Sequence, residues 1–218
     1  MTLAKNGEPS SGEIPRTWPR RLHSIFGIVP VGAFLVFHLI WNTAALEGAD
    51  SYDRLVLRLQ RFPLAVPIEV FLIALPIALH GVYGLFLTAT AAPGAPSPTP
   101  VRRCVSLLQR ATGILLFLFI LFHLWTTRLV QIRDHESLDL YRIVQAAVAS
   151  PWIRRFYAAA IVSAAFHLAS GIWSTPASWG FAPGRRARVL LAASASALFV
   201  ILSAMGLAAL AGFRLTGR

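Results

Sequence analysis

Long apolar stretches alternate with short polar segments along almost the whole chain. A helix that crosses a membrane needs about 20 mostly apolar residues at a rise of about 1.5 Å per residue. Five stretches meet this requirement. In chain order they run from about Ser24 to Leu46, Leu64 to Ala91, Leu108 to Val130, Ile153 to Ser174 and Val189 to Phe213. The pattern therefore predicts five membrane-spanning helices.

The segments between these stretches are of two kinds. Ala92–Val101 and Ala177–Arg188 contain proline, glycine and small residues, which predicts loops. Asp50–Phe62 and Asp134–Ala149 instead predict amphipathic helices that lie on the membrane surface. In Asp50–Phe62, for example, the leucine, valine and phenylalanine side chains share one helical face and the arginines share another.

The composition excludes an ordinary soluble protein. Hydrophobic residues make up 56% of the chain and charged residues 13%, about half the charged fraction of a typical soluble protein. The net charge is +11, but the arginines form short clusters between apolar stretches, which favours lipid headgroups or partner subunits over nucleic acid. The single cysteine, Cys104, excludes an intrachain disulfide and a cysteine-held zinc or iron–sulfur site. We therefore expect an all-α integral membrane protein.

The charge distribution also bears on the orientation of the chain. Basic residues are shared equally between the two sides, so their number does not orient it. The loops after the second and fourth stretches are short and almost free of acidic residues, which favours a cytoplasmic N-terminus. On this interpretation residues 1–23 form a cytoplasmic segment, residues 24–213 the transmembrane domain and residues 214–218 a C-terminal tail.

Four histidines lie inside the apolar stretches, where an ionisable side chain is costly and indicates function. His38, His80, His123 and His167 fall one in each of the first four stretches, each slightly past its middle. Successive helices run in opposite directions. His38 and His123 should therefore share one level, and His80 and His167 another level about 10 Å away.

The sequence around the histidines supports this pairing. FLVFHLIW surrounds His38 and FILFHLWT surrounds His123, and each has a glycine about three turns earlier. His80 and His167 instead have a glycine four residues later. We expect each glycine to lie on the helical face of its own histidine and to make room for a flat ring. These glycines are Gly27, Gly113, Gly84 and Gly171.

Two histidine pairs at two depths are typical of haem iron ligated by two imidazoles. A tetrahedral zinc site would need all four ligands at one point, which two levels exclude. The absence of a Cys-x-x-Cys-His motif predicts non-covalent haem of the b type. Polar side chains that only hydrogen-bond between helices are the simpler alternative, but the regular alternation favours two b haems. We expect a four-helix bundle that holds both haems, with the fifth helix at its periphery.

These features resemble the cytochrome b membrane-anchor subunits of succinate dehydrogenase and fumarate reductase, in their single-chain, five-helix, dihaem form. The resemblance runs from about Arg20 to Phe213. Its most specific parts are RRLHSIFGIVPVGAFLVFHLIWN at the start of the first stretch and the four histidine positions. In that family the histidines of the first and third helices ligate the haem distal to the dehydrogenase, and those of the second and fourth ligate the proximal haem. The resemblance implies the same assignment here: His38 and His123 for the distal haem b, His80 and His167 for the proximal one.

The resemblance also implies partners and a location. The partners are a flavoprotein carrying covalent FAD and an iron–sulfur subunit, docked on the cytoplasmic face of a bacterial cytoplasmic membrane. The chain is then the quinone-reactive part of an oxidoreductase, without a succinate site of its own, and passes electrons between the iron–sulfur subunit and menaquinone or ubiquinone. Membrane lipid is a further partner and nucleic acid is not. A dimer of complexes is compatible with the sequence.

Three further residues are candidates for supporting roles. Glu69 is the only carboxylate within the apolar stretches and lies eleven residues before His80, about three turns, beside the level of the other pair. We hypothesise that it exchanges protons at a distal quinone site; a headgroup-level glutamate near a helix N-terminus is an equal alternative. Arg21 and Ser24 are candidates to contact haem propionates.

Two other interpretations stay open at this point. The chain could be a dihaem cytochrome b of another membrane dehydrogenase or of a hydrogenase, although the histidine positions and the lack of a sixth stretch favour the first interpretation. It could also be a haem-free transporter or anchor whose histidines relay protons. The remaining histidines, His23 at the membrane boundary and His135 in a loop, are assigned no role.

Overall fold

The computed structural model describes residues 17–91, 99–133, 139–181 and 184–215. These residues are almost entirely helical and contain no β-strand. Five helices are long and apolar enough to cross a membrane, and we number them as the first to fifth spans: Trp18–Leu46, Ala65–Ala89, Pro100–Ile132, Pro151–Pro176 and Arg185–Phe213. The prediction of an all-α membrane protein with five spans is confirmed.

The spans are built from shorter helical pieces. In chain order these are Thr17–Ile28, Pro30–Asn42, a 3-10 turn at Thr43–Leu46, Ala49–Gln60, Ala65–Pro67, a π-helical segment at Ile68–Ala74, Leu75–Ala89, Pro100–Leu124, a π-helical segment at Trp125–Leu129, Val130–Arg133, Leu140–Ala147, Pro151–Ser178 and Arg185–Leu215. The first span continues across the junction at Val29, because Val29 donates its backbone N–H to Ile25 at 2.8 Å. Pro30 is tolerated there as the first residue of the next piece.

Several spans begin earlier than the apolar pattern predicts. The third begins at Pro100 instead of Leu108, and the first at Trp18 instead of Ser24. At the start of the third span, the hydroxyl of Thr99 accepts a hydrogen bond from the backbone N–H of Arg102 at 3.3 Å and so caps the helix. The helical hydrogen bonds continue through polar residues that a hydropathy pattern assigns to the loop.

The two predicted surface helices are present with shorter bounds. The first is Ala49–Gln60, close to its predicted limits. The second is Leu140–Ala147. The Asp139 carboxylate caps its start by accepting a hydrogen bond from the backbone N–H of Arg142 at 3.2 Å. Residues 134–138 of the predicted helix lie outside the described residues. The two helices contact each other, and the backbone N–H of Tyr141 donates to the Asp53 carboxylate at 2.9 Å.

The fifth span lies against the first and fourth spans, outside the group of four that carry the histidines. A buried cluster of Leu39, Ala165, Leu168 and Leu202 joins these three spans. Gly212 permits a close approach of the backbones of the fifth and first spans, because a Cβ there would lie 2.7 Å from the carbonyl carbon of Ala45. Large apolar side chains elsewhere point outwards, and Phe71 is 64% exposed, as expected of helices that face lipid.

Two histidine pairs as a candidate cofactor site

The four histidines of the spans meet in two pairs. His38 and His123, on the first and third spans, have ring centroids 5.9 Å apart and ring planes at 82°. His80 and His167, on the second and fourth spans, have centroids 6.1 Å apart and planes at 89°. The structure therefore brings together the same partners that the depth argument pairs.

The spacing within each pair suits a metal ion between two imidazoles. Two nitrogens that each lie about 2 Å from one metal ion hold their ring centroids about 6 Å apart, which is the separation found in both pairs. Among the described residues, the His, Cys, Asp and Glu side chains form no cluster of three or more suited to a metal ion. Each pair therefore has the spacing of two nitrogen ligands on opposite sides of one metal ion.

Hydrogen bonds fix the ring orientation of three of these histidines. Nδ1 of His80 lies 2.9 Å from the carbonyl oxygen of His23. Nδ1 of His123 lies 3.2 Å from the Tyr157 hydroxyl, and Nδ1 of His167 lies 3.2 Å from the Thr112 hydroxyl. In each case Nδ1 is occupied, which leaves Nε2 as the nitrogen available to a metal.

His38 is held differently. In the described part of the chain its ring nitrogens have no hydrogen-bond partner, whereas its backbone carbonyl accepts from the Asn42 side chain at 2.7 Å. The Asn42 side-chain oxygen in turn accepts from the Tyr52 hydroxyl at 3.4 Å. Burial raises the pKa of the Tyr52 hydroxyl, so it remains a neutral donor. This chain of bonds links the first span to the first surface helix.

His23 also belongs to this site, although the sequence assigned it no role. Its imidazole lies flat against that of His80, with 4.0 Å between centroids and 1° between planes. His23 therefore contacts His80 twice, through its ring and through the carbonyl that accepts from Nδ1. The RLHS motif was the available signal. Its histidine and the ring partner are 57 residues apart, so sequence spacing did not reveal the contact.

Two glycines make room for histidine rings of neighbouring spans. A Cβ on Gly27 would lie 2.7 Å from Nδ1 of His80, and a Cβ on Gly113 would lie 3.2 Å from Cε1 of His167. Both glycines thus face rings of the His80–His167 pair. That each glycine shares a helical face with the histidine of its own helix stays a prediction.

The remaining two glycines lie against other side chains. A Cβ on Gly84 would lie 3.1 Å from Cε1 of His23, not beside His80. A Cβ on Gly171 would be in ordinary contact with the Gln109 side chain at 3.6 Å. A shared face on one helix does not determine which neighbouring side chain fills the space in front of it.

Buried donors without partners collect at the end of the bundle where the first span begins, which we call the N-terminal end. Within the described residues, Nε of Arg21, Nδ1 of His23 and Nε1 of Trp179 are buried and have no hydrogen-bond partner. A second guanidinium nitrogen of Arg21 donates to the Trp179 carbonyl at 3.3 Å. Buried donors need acceptors, and a carboxylate such as a haem propionate would supply them. The Ser24 hydroxyl already donates to the Arg20 carbonyl at 3.2 Å.

Glu69 makes an ion pair that the sequence analysis did not foresee. Both of its carboxylate oxygens accept from the Arg128 guanidinium, each at 2.6 Å. Arg128 also donates to Gln131 at 2.8 Å. Glu69 and Arg128 lie in the two π-helical segments, Ile68–Ala74 and Trp125–Leu129, and such segments often occur at functional sites. The pair joins the second and third spans at the end opposite Arg21, which we call the far end.

Two comparisons with known proteins bear on this site. The family model described as "Succinate dehydrogenase/Fumarate reductase transmembrane subunit" matches residues 99–208. The chain is also 33% identical over 195 residues to the "Succinate dehydrogenase cytochrome b558 subunit" of Bacillus subtilis (strain 168), an alignment that covers 89% of this chain and 95% of that protein. The chain belongs to the succinate dehydrogenase/fumarate reductase transmembrane subunit family.

Family membership confirms the resemblance noted from the sequence. The family match spans His123 and His167, and the alignment with the Bacillus protein covers most of the chain. This transmembrane subunit is therefore a multi-pass membrane protein of the cytochrome b anchor type, and the alternatives in transport and in other dehydrogenases lose their support.

A cavity of about 650 Å³ lies at the far end of the transmembrane subunit. It lies between the end of the third span and the second surface helix, and most of its lining is apolar, including Phe122, Trp125 and Ile143. Thr126 lines it too, and the Thr126 hydroxyl lies 3.4 Å from that of Tyr157, the partner of His123. An apolar cavity with a few polar groups is the usual form of a small-molecule site.

Proposed function

We propose that this subunit anchors a succinate:quinone oxidoreductase, either a succinate dehydrogenase or a fumarate reductase, and transfers electrons between its iron–sulfur subunit and membrane quinone through two b haems. The proposal depends on one observation: the histidines form two pairs, one on the first and third spans and one on the second and fourth. Two redox centres at different depths supply the series of steps that electron transfer across a membrane requires.

In this proposal the chain's own residues hold and orient each haem. His38 and His123 would hold the distal haem, and His80 and His167 the proximal haem. For His80, His123 and His167, whose Nδ1 is hydrogen-bonded, Nε2 would be the ligand nitrogen. Haem, when bound, supplies one-electron redox chemistry whose potential depends on its ligands and their partners. The carbonyl of His23, the Tyr157 hydroxyl and the Thr112 hydroxyl keep the Nδ1 proton in place and raise the basicity of the bound imidazole.

Side chains at the N-terminal end would supply donors to the propionates of the proximal haem. Arg21 is the strongest candidate, because its Nε is buried without a partner among the described residues. His23 and Trp179 offer donors of the same kind. Ser24 is the weaker candidate, since its hydroxyl would have to leave the Arg20 carbonyl in order to donate to a propionate.

Electrons must reach these haems from outside the chain. With the single cysteine Cys104, the chain has too few thiolates to hold an iron–sulfur cluster of its own. An iron–sulfur subunit and a flavoprotein with covalent FAD therefore belong to the proposed complex. We place them at the N-terminal end, next to the proximal pair, on the cytoplasmic face of a bacterial cytoplasmic membrane.

Quinone, either menaquinone or ubiquinone, would react at the far end. The cavity beside Thr126 offers apolar walls for its ring and a hydrogen-bonded route to His123 through Tyr157. Glu69 lies at the same end and is our candidate to exchange the protons of quinone chemistry. Its bond to Arg128 adds a condition: the carboxylate must leave the guanidinium, at least in part, to take up a proton.

Purification from the membranes of the native host tests the function. A tagged transmembrane subunit should bring down a flavoprotein with covalent flavin and an iron–sulfur protein, and succinate should reduce its haem. The proposal is wrong if the subunit retains haem but copurifies with neither protein, or if the complex carries a different dehydrogenase.

A further inference from the structure

A second cavity, of about 850 Å³, lies at the N-terminal end between the starts of the third and fifth spans and the end of the fourth. Four arginines line it: Arg102, Arg110, Arg185 and Arg188. The cavity is thus formed where three spans reach the edge of the apolar region. None of the four paired histidines lines it, and it shares no lining residue with the cavity beside Thr126.

Among the described residues, no carboxylate of this chain compensates the positive charge in this cavity. No described acidic residue lines it, and none of the four arginines forms an ion pair with a described residue. All acidic residues that the structure describes lie towards the far end: Glu47, Asp50, Asp53, Glu69 and Asp139. Four guanidinium groups around one cavity repel each other, and an anion with several oxygens would relieve that repulsion through charge-assisted hydrogen bonds.

The rest of the lining is apolar. Val105, Phe181, Val189 and Leu191 contribute aliphatic and aromatic surface, and Phe181 and Val189 are largely exposed. Trp173 lies under the Arg102 guanidinium, 5.8 Å from it, and tryptophan favours the headgroup level of a bilayer. An occupant of this site must combine an anionic head with an apolar tail.

We propose that this cavity binds an anionic phospholipid, with its phosphate held by the arginines and an acyl chain packed along the third and fifth spans. Basic pockets between membrane helices are suited to such headgroups. A quinone, which carries no charge, would leave the four arginines uncompensated.

The floor of the cavity connects this site to the helix junction beneath it. Gln109 and Ser170 both line the cavity and are hydrogen-bonded to each other, and the Gln109 amide donates to the His167 carbonyl at 3.1 Å. A bound lipid would therefore contact Gln109 and Ser170, whose hydrogen bond joins the third and fourth spans. Since a ligand that binds only the folded state stabilises it, the lipid should raise the melting temperature of the complex.

Lipid binding to the purified complex tests the proposal. We would prepare the complex in mild detergent, remove loosely held lipid, and measure binding of phosphatidylglycerol, cardiolipin and phosphatidylcholine by native mass spectrometry. The variants are Arg102→Gln with Arg110→Gln, and Arg185→Gln with Arg188→Gln. The matched control is Arg54→Gln with Arg58→Gln, which removes the same charge from exposed positions on the first surface helix.

The wild-type complex should bind the two anionic lipids and not phosphatidylcholine, and raised salt should weaken the binding. Each arginine removed should weaken it on the order of fivefold, with no change in the control. The salt dependence needs no variant, so it tests the site even if a variant fails to assemble.

Three results would overturn the proposal. Equal retention of anionic and zwitterionic lipid would show that charge does not select the occupant. Loss of the partner subunits from the variants with unchanged lipid binding would make the cavity a protein-docking surface. Binding of inorganic phosphate as tight as that of the lipids would show that the acyl chain contributes nothing. None of these results bears on the proposed electron transfer, which is read from haem and flavin content.

Discussion

The imidazole of His23 lies flat on that of His80, with 4.0 Å between ring centroids and 1° between ring planes. The same residue accepts the His80 Nδ1 hydrogen bond at its carbonyl. A side chain at the start of the first span therefore sets the orientation of a candidate ligand on the second. This relationship suggests that the two proposed haem sites can be perturbed one at a time.

His23→Ala should alter the proximal haem and leave the distal one unchanged. The substitution removes the stacked ring but keeps the backbone carbonyl, so His80 gains freedom to rotate about its remaining hydrogen bond. Low-spin ferric haem signals in electron paramagnetic resonance should show one shifted and one unshifted species. His23→Phe retains a flat ring and should shift the signal less; equal shifts in both haems would contradict this account.

Gly27→Ala should remove the proximal haem. The new Cβ would lie 2.7 Å from Nδ1 of His80, so the His80 ring must move from its position opposite His167. Gly171→Ala is the matched control, because its Cβ would meet Gln109 at an ordinary 3.6 Å. In a helix, glycine to alanine is otherwise favourable by about 1 kcal/mol. A Gly27→Ala subunit with full haem content and an unchanged spectrum would show that the ring does not need this space.

Tyr157→Phe should raise the midpoint potential of the distal haem alone. The phenol is buried, with 5% of its surface exposed, and is the partner of His123 Nδ1. Without that partner the imidazole is less basic and stabilises ferric iron less. The lost hydrogen bond should also cost about 1 kcal/mol of folding free energy.

Potentiometric titration separates this effect from general destabilisation. Tyr52→Phe is the control, since the Tyr52 hydroxyl bonds to Asn42 and not to a histidine ring. An unchanged distal potential in Tyr157→Phe, or the same change in both variants, would refute a specific role for Tyr157.

Glu69→Gln should lower quinone-linked turnover by at least about a hundredfold, the lower end of the usual contribution of a proton-transfer group, with haem content preserved. The Glu69–Arg128 pair is partly exposed, with side-chain exposures of 41% and 33%, and such pairs stabilise a fold by about 1 kcal/mol or less. Turnover should therefore fall more than stability. Arg128→Gln provides the comparison: it breaks the same ion pair but keeps the carboxylate. If Glu69→Gln retains full turnover, or if both variants lose activity only as far as they lose stability, Glu69 has no proton-transfer role.

The five spans and the pairing of the histidines follow from the sequence because both depend on simple periodicities. Apolar runs of span length mark the helices, and alternating helix direction places His38 with His123 and His80 with His167. The same logic did not identify the neighbours of Gly27 and Gly113. Their neighbours are decided by how the spans rotate against each other, and a single helical face carries no information about that rotation.

Contacts between residues far apart in the chain could not be predicted from the sequence either. Nothing in the local patterns around Glu69 and Arg128 indicates that a bidentate ion pair joins them or that both lie in π-helical segments. His23 was interpreted as a boundary residue because its ring partner is on another span. The start of the third span at Pro100 was missed because the apolar stretch begins only after the arginines. The helical hydrogen bonds, in contrast, continue through the arginine-containing segment.

Haem stoichiometry in paired histidine variants tests the central claim most directly. Pyridine-haemochrome analysis of the purified complex should give two b haems per transmembrane subunit. His38→Ala with His123→Ala should leave one haem, and so should His80→Ala with His167→Ala, because each double variant empties one site. His38→Ala with His80→Ala should leave none. Two haems lost from a within-pair variant, or a folded wild-type complex without haem, would contradict the account.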